Sequence, residues 1–186
     1  MKKIFVTCLL FLLLAGMTSA QIWYTKVAAI GFDATAPASP ERIEGKNRSA
    51  TCVLDSKTGA IQFSVLMKGF AFERALMEEH FNENYVESNK YPKAEFKGKV
   101  KDMEDIDLSK DGNYTVKVKG DLSLHGETRE VETTGQIRAT GGKVSATAAF
   151  IIKLSAFNIS IPGLVADKVG KEARISVDCT LEILKK

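Results

Sequence analysis

Alternation of apolar and polar residues dominates the chain from about residue 28 onward. Successive side chains of a β-strand point to opposite faces, so this period of two predicts strands with one apolar face. Turn residues separate the runs, among them Asp55–Gly59, Asp111-Gly112 and Gly141-Gly142. The pattern predicts eight strands, at about residues 28–34, 48–54, 61–70, 94–101, 116–124, 131–139, 144–156 and 173–184. Eight closely spaced strands favour an all-β sandwich or a closed antiparallel barrel.

One segment departs from this period. Met77, Phe81 and Tyr85 recur every fourth residue, while acidic residues occupy the positions between them. That spacing places the three side chains in one apolar stripe of an amphipathic helix. Pro92 forces the residue before it into an extended conformation and ends the helical part. We therefore expect one short helical insertion around residues 74–88, closing one end of a β-barrel.

The first twenty residues have the composition of a secretory signal peptide. Lys2 and Lys3 precede an apolar run over residues 4–16, and small residues follow at Thr18-Ser19-Ala20. An apolar run this short favours a cleaved signal over an uncleaved membrane anchor, which is the alternative. We expect residues 1–20 to be removed and residues 21–186 to form one soluble domain in the periplasm.

The charge balance argues against a nucleic-acid partner. The chain has 26 basic and 23 acidic residues, so removal of Lys2 and Lys3 leaves a net charge of +1. Basic and acidic residues also alternate along the predicted strands, whereas nucleic-acid-binding proteins carry a basic excess or a basic stripe. The alternation is typical of solvent-exposed strand faces.

Two cysteines lie beyond the predicted signal peptide, Cys52 and Cys179. An oxidising compartment permits a disulfide between them. Cys179 also falls on the apolar register of the last predicted strand, which favours a buried free thiol equally well. With only two histidines in the chain, the sequence predicts no metal site.

The predicted inner face combines large apolar residues with small ones such as Gly120, Ala146 and Ala156. Small residues on adjoining strands would leave an apolar tunnel, unless neighbouring Phe and Met side chains fill the space. We predict that the residues lining such a cavity are Phe63, Val65, Met67, Phe70, Phe72, Met77, His80, Phe81, Phe96, Leu122, Leu124, Ala148, Phe150, Ile152 and Phe157.

Several segments resemble the YceI-like family of exported lipid-binding proteins. They are the run Phe63–Phe72, the pair His80-Phe81, the segment Tyr91–Gly98 and the segment Gly120–Thr128, which reads GDLSLHGET. The resemblance implies a single eight-stranded, lipocalin-like antiparallel barrel whose interior takes a long amphiphile, typically a polyisoprenoid or an acyl chain. It also implies a binding protein without a cofactor, and a homodimer is compatible with it. Many family members carry a His-Ser pair on the first strand, where this chain has Val27-Ala28-Ala29-Ile30.

Two other functions are alternatives to lipid carriage. A lipid-modifying enzyme would use His80 as an acid or base, but no nucleophile elbow, phosphate-binding loop or dinucleotide fingerprint accompanies it. His125 precedes Gly126 and is expected to order a turn. An interaction module would dock through the helix and the loop at residues 102–113. We expect no catalytic residues.

Overall fold

The computed structural model describes residues 21–184, and it contains nine β-strands and one α-helix. The strands are β1 (Ile22–Thr35), β2 (Glu44–Asp55), β3 (Ala60–Leu66), β4 (Ala71–Phe72), β5 (Lys93–Val100), β6 (Gly112–Leu124), β7 (Glu127–Thr140), β8 (Lys143–Lys153) and β9 (Val169–Ile183). The predicted signal peptide lies outside the described residues. No helix within residues 21–184 is long and apolar enough to cross a membrane.

Eight of the strands close into an antiparallel barrel, which confirms the predicted fold. Their order around the ring is β1-β9-β8-β7-β6-β5-β3-β2, and pairing of β1 with β2 closes it. Closure pairs the two strands that would otherwise be open edges. The two-residue strand β4 lies outside the ring and pairs with Gly45 and Lys46 of β2.

Two tight turns set the register of the longest hairpins. His125 and Gly126 join β6 to β7, with φ angles of 51° and 80°. Gly141 and Gly142 join β7 to β8, with φ angles of 57° and 76°. Positive φ at both central residues is typical of the turn whose twist matches that of the flanking strands.

Some predicted strands have different ends in the structure. The chain leaves β3 at Leu66 and β8 at Lys153, and continues in each case as a 3₁₀ turn, Met67–Gly69 or Leu154–Phe157. Apolar residues of these turns stay buried, so the apolar pattern runs past the strand. β1 begins at Ile22, earlier than predicted, because irregular pairing between Thr25 and Ala28 breaks its period of two.

The predicted helical insertion is confirmed as α1 (Ala75–His80), which continues into a π-helical turn, Phe81–Tyr85. Phe81 is buried at the end of the barrel, where its ring lies 4.8–5.4 Å from the rings of Phe32, Phe70 and Phe72. The aromatic cluster therefore holds the helix over this end, which we call the helical end.

The opposite end of the barrel is solid. Five large side chains fill it, each at most 2% exposed: Trp23, Leu54, Val100, Met103 and Leu181. They come from the ends of β1, β2, β5 and β9 and from the loop that follows β5. Any internal space must therefore lie toward the helical end.

Candidate ligand-binding cavity

A cavity of about 440 Å³ occupies the barrel interior between the solid end and α1. This volume is within the usual range for small-molecule sites. Fourteen of the predicted lining residues line it: Phe63, Val65, Met67, Phe70, Phe72, Met77, His80, Phe81, Phe96, Leu122, Leu124, Ala148, Phe150 and Ile152. Whether they bind a ligand stays a prediction.

Phe157 is the predicted lining residue that does not line the cavity. It is 2% exposed and lies in the 3₁₀ turn Leu154–Phe157, beyond the end of β8. The prediction placed its ring among the lining residues, although the predicted strand ends one residue earlier, at residue 156. The 3₁₀ turn changes the side-chain direction, and Phe157 packs in the wall instead.

Inward-pointing residues near the middle of the barrel are only half-buried. Examples are Phe63 on β3, Val118 on β6, Val131 on β7 and Phe150 on β8, all of which line the cavity. A packed core residue touches neighbours on every side, whereas these side chains face unoccupied space. The interior is therefore not filled by its own side chains at this level.

The small residues of the inner face have two different roles. Ala146 and Ala148 line the cavity, as the tunnel interpretation expects, but Gly120 and Ala156 do not. A Cβ added at Gly120 would lie 2.3 Å from Gly98 Cα and 2.8 Å from Phe96 Cζ. Gly120 thus allows β5 and its Phe96 ring to approach β6 closely, and adds no space.

Many apolar residues outside the predicted set also line the cavity. Most of them lie on strands of the ring, where a complete reading of the alternation finds them. Others, among them Ile43, Ile159 and Ile161, lie between strands. Examples on the strands are Ile30, Phe32, Ile61, Ala94, Val116, Val118, Val131, Ile137, Ala146, Ile175 and Val177.

The cavity opens beside α1, where its lining becomes charged and exposed. Three charged lining residues come from different segments near the end of β1, namely Glu41, Arg74 and Lys168. Arg74 Nη1 lies 2.5 Å from Glu41 Oε1. Leu76 of α1 also lines this opening and is 59% exposed. We call this opening, defined by these four residues, the mouth.

The side chain of His80 is exposed at the edge of the cavity and makes no hydrogen bond within residues 21–184. Its imidazole is therefore neither buried nor bonded to a backbone group in this part of the chain. A general base is normally oriented by a hydrogen-bonded neighbour. The arrangement around His80 offers no such support for acid–base chemistry.

His125 lies in the turn between β6 and β7, as the sequence predicted, and its side chain also contacts two other segments. Its Nδ1 lies 2.9 Å from the carbonyl oxygen of Phe157, and its Nε2 lies 2.7 Å from Glu87 Oε2. The ring of Tyr91 meets it edge-on, with centroids 4.6 Å apart. His125 therefore joins the β6–β7 turn to the segment after the π-helical turn and to the 3₁₀ turn after β8.

Both cysteines are free and buried beside the solid end. The neighbouring Cys179 thiol and burial together raise the pKa of the Cys52 thiol, so that it stays protonated. Cys52 lies on β2 and Cys179 on β9, and β1 runs between them. No cluster of His, Cys, Asp and Glu suited to a metal ion occurs within residues 21–184.

Solved structures of proteins from several bacteria have the same fold. A polyisoprenoid binding domain from Saccharophagus degradans aligns with a TM-score of 0.75 at 12% identity, covering 89% of this chain and 99% of that one. BcnA from Burkholderia cenocepacia aligns with a TM-score of 0.64 at 17% identity, covering 83% and 95%. The YCEI protein of Campylobacter jejuni aligns with a TM-score of 0.58 at 15% identity, covering 78% and 87%. At these identities the likeness concerns the fold alone.

No curated protein sequence matches the chain significantly. The sequence profile of the YceI-like domain, however, matches residues 25–181, which is nearly the whole of the barrel. The match covers all or most of every strand of the ring, and the helical insertion. The chain therefore belongs to the YceI-like domain family.

Proposed function

We propose that this chain is an exported, soluble binding protein that holds a long amphiphilic lipid in its barrel for carriage or sequestration. The observation that carries the proposal is the cavity of about 440 Å³, which is closed at one end and lined almost throughout by hydrocarbon. Such a site has few groups that could hold a polar molecule. It is suited to a hydrocarbon chain that inserts lengthwise.

The driving force for such binding is removal of the chain from water. Each methylene group that leaves water contributes about 0.8 kcal/mol, and the ordering of a flexible tail offsets part of this. A preformed cavity reduces the cost further, because the protein does not have to open a space for the ligand. Affinity should then increase with the length of chain that fits.

Polyisoprenoids, isoprenoid quinones and acyl chains are the proposed ligands. The family to which the chain belongs and the polyisoprenoid binding domain of the same fold support this class. The composition of residues 1–20 supports export to the periplasm. Binding without catalysis is proposed because His80 lacks an orienting partner. A homodimer stays a prediction, to be checked by sedimentation at several concentrations.

The test begins with the protein purified without detergent. Organic extraction followed by mass spectrometry should recover a long-chain lipid, and the delipidated protein should take up an added isoprenoid quinone or fatty acid. A clean extract combined with no uptake of either ligand would contradict the proposal.

A matched pair of variants locates the binding inside the barrel. Ala148 lines the cavity, and its neighbour Ala149 on β8 is exposed on the outer face. Ala148→Trp should fill the cavity and abolish uptake, whereas Ala149→Trp should leave uptake unchanged. Circular dichroism would establish that both variants fold. Equal uptake by the two variants would place the ligand elsewhere.

A further inference from the structure

We infer that the mouth is a head-group site for an anion, so that the preferred ligands are amphiphiles with a carboxylate or phosphate head. This inference rests on the proposed function, because it concerns the polar end of the lipid that the cavity would hold. It assigns a role to Arg74 and Lys168, which the hydrocarbon lining does not explain.

The shape of the cavity determines which end of a ligand lies where. The end beyond Leu54 and Val100 is packed with fully buried side chains, and the exposed lining residues are grouped beside α1, apart from Gln136 and Thr147 on β7 and β8. A polar head placed at the closed end would lose its water without gaining a partner, which costs several kcal/mol. The tail must therefore enter first, and the head must remain at the mouth.

The charged residues of the mouth are brought together by the end of β1. The backbone N–H of Ala36 donates to the carbonyl oxygen of Lys168 at 2.9 Å. The N–H of Ala34 donates to the carbonyl oxygen of Ile43 at 3.0 Å. Ile43 is two residues after Glu41, so this bond holds the Glu41 segment against the end of β1. Arg74 reaches Glu41 from the segment that leads into α1.

These charges do not cancel. Glu41 is paired with Arg74, whereas Lys168 forms no salt bridge within the part of the chain that the structure describes. The mouth thus has a net charge of +1, with two cations and one carboxylate. The remaining charged lining residue, Glu95 on β5, is paired with Lys97 at 3.6 Å. An anionic head would complete the arrangement by accepting from both Arg74 and Lys168.

The experiment compares amphiphiles that differ only in the head. Delipidated protein is titrated with oleate and oleyl alcohol, and separately with farnesyl phosphate and farnesol, below their aggregation concentrations. Charge-assisted hydrogen bonds favour the anion, so each anion should bind about tenfold more tightly than its alcohol. The preference should decrease as salt is added, since the mouth is exposed. A larger ratio of anion affinity to alcohol affinity in one pair than in the other would identify carboxylate or phosphate as the preferred head.

Variants of the charged residues at the mouth should change the ratio of anion affinity to alcohol affinity. The double variant R74Q/K168M leaves Glu41 as the charged group, and should bind the alcohol at least as well as the anion. Glu41→Gln should increase the preference beyond that of the unaltered protein. Lys171→Met removes an exposed cation that does not line the cavity, and should have no effect.

The outcomes separate this inference from the proposed function. Failure of all four amphiphiles to bind would contradict lipid binding itself. Binding of the alcohols with no anion preference, or a preference that survives in R74Q/K168M, would overturn the head-group site alone. A preference that Lys171→Met removes as effectively would place the effect in the general charge of the surface.

Discussion

The imidazole of His125 has an acceptor beside each ring nitrogen, the Phe157 carbonyl oxygen at Nδ1 and the Glu87 carboxylate at Nε2. Each ring nitrogen therefore has a hydrogen-bond partner of its own. The side chain is 8% exposed, which shields these bonds from water. His125 thus connects three segments that lie far apart in the sequence.

Replacement of His125 tests this role. His125→Phe keeps a ring against Tyr91 but removes both hydrogen bonds and leaves the Phe157 carbonyl oxygen without its donor. We expect the free energy of unfolding to decrease by about 2–4 kcal/mol, measured by chemical denaturation. Glu87→Gln retains a polar partner for the ring and should decrease the free energy of unfolding by a smaller amount. Equal stability of His125→Phe and the unaltered protein would contradict the assignment.

The two cysteines provide a second prediction at this scale. Because β1 separates their strands, their Cα atoms are about two strand spacings apart, on the order of 9.5 Å, and a disulfide requires less than about 7 Å. We expect both thiols to stay reduced, even in protein recovered from an oxidising compartment. Alkylation after denaturation should label Cys52 and Cys179, and the native protein should react slowly. An intact mass lower by two hydrogen atoms would contradict this prediction.

At the scale of elements, the helical insertion is held mainly by one side chain. Phe81 is 4% exposed and contacts three other phenylalanine rings, whereas Leu76 on the same insertion is 59% exposed. The sequence predicted the apolar stripe, but it did not identify the rings that receive it. Those rings come from β1, the end of the 3₁₀ turn after β3, and β4.

The difference in burial between Phe81 and Leu76 predicts how much each side chain contributes to the stability of the protein. Phe81→Ala should lower the free energy of unfolding by about 3 kcal/mol or more, because it removes a buried ring and enlarges the cavity. Leu76→Ala should change it by less than about 0.5 kcal/mol, since the side chain is mostly in water. Thermal or chemical denaturation measures both. Similar losses in the two variants would show that the insertion is not anchored through Phe81.

At the scale of the whole molecule, a cavity closed at one end limits the length of its ligand. Affinity for saturated fatty acids should increase about two- to fourfold with each added methylene group, because each one leaves water. The increase should stop when the tail reaches Leu54 and Val100. Titration calorimetry over a series of chain lengths measures the slope and the limit. An affinity independent of chain length would be inconsistent with tail-first insertion.

Much of this architecture follows from local pattern. The period of two placed the strands, and the spacing of Met77, Phe81 and Tyr85 placed the helical insertion, since both signals depend only on neighbouring residues. The prediction of lining residues was wrong where the backbone left the strand conformation. Phe157 directly follows the predicted strand 144–156, but it lies in a 3₁₀ turn and does not line the cavity.

The sequence alone determined which side chains point inward, because side-chain direction along a strand is a local property. Only the tertiary structure decided whether the space between them is filled. Gly120 and Ala148 are both small inward residues, yet the Phe96 ring covers one and the cavity lies beside the other. The mouth likewise depends on Glu41, Arg74 and Lys168, which strand closure brings together from distant parts of the chain. Packing and proximity of this kind are properties of the whole barrel, and no single segment encodes them.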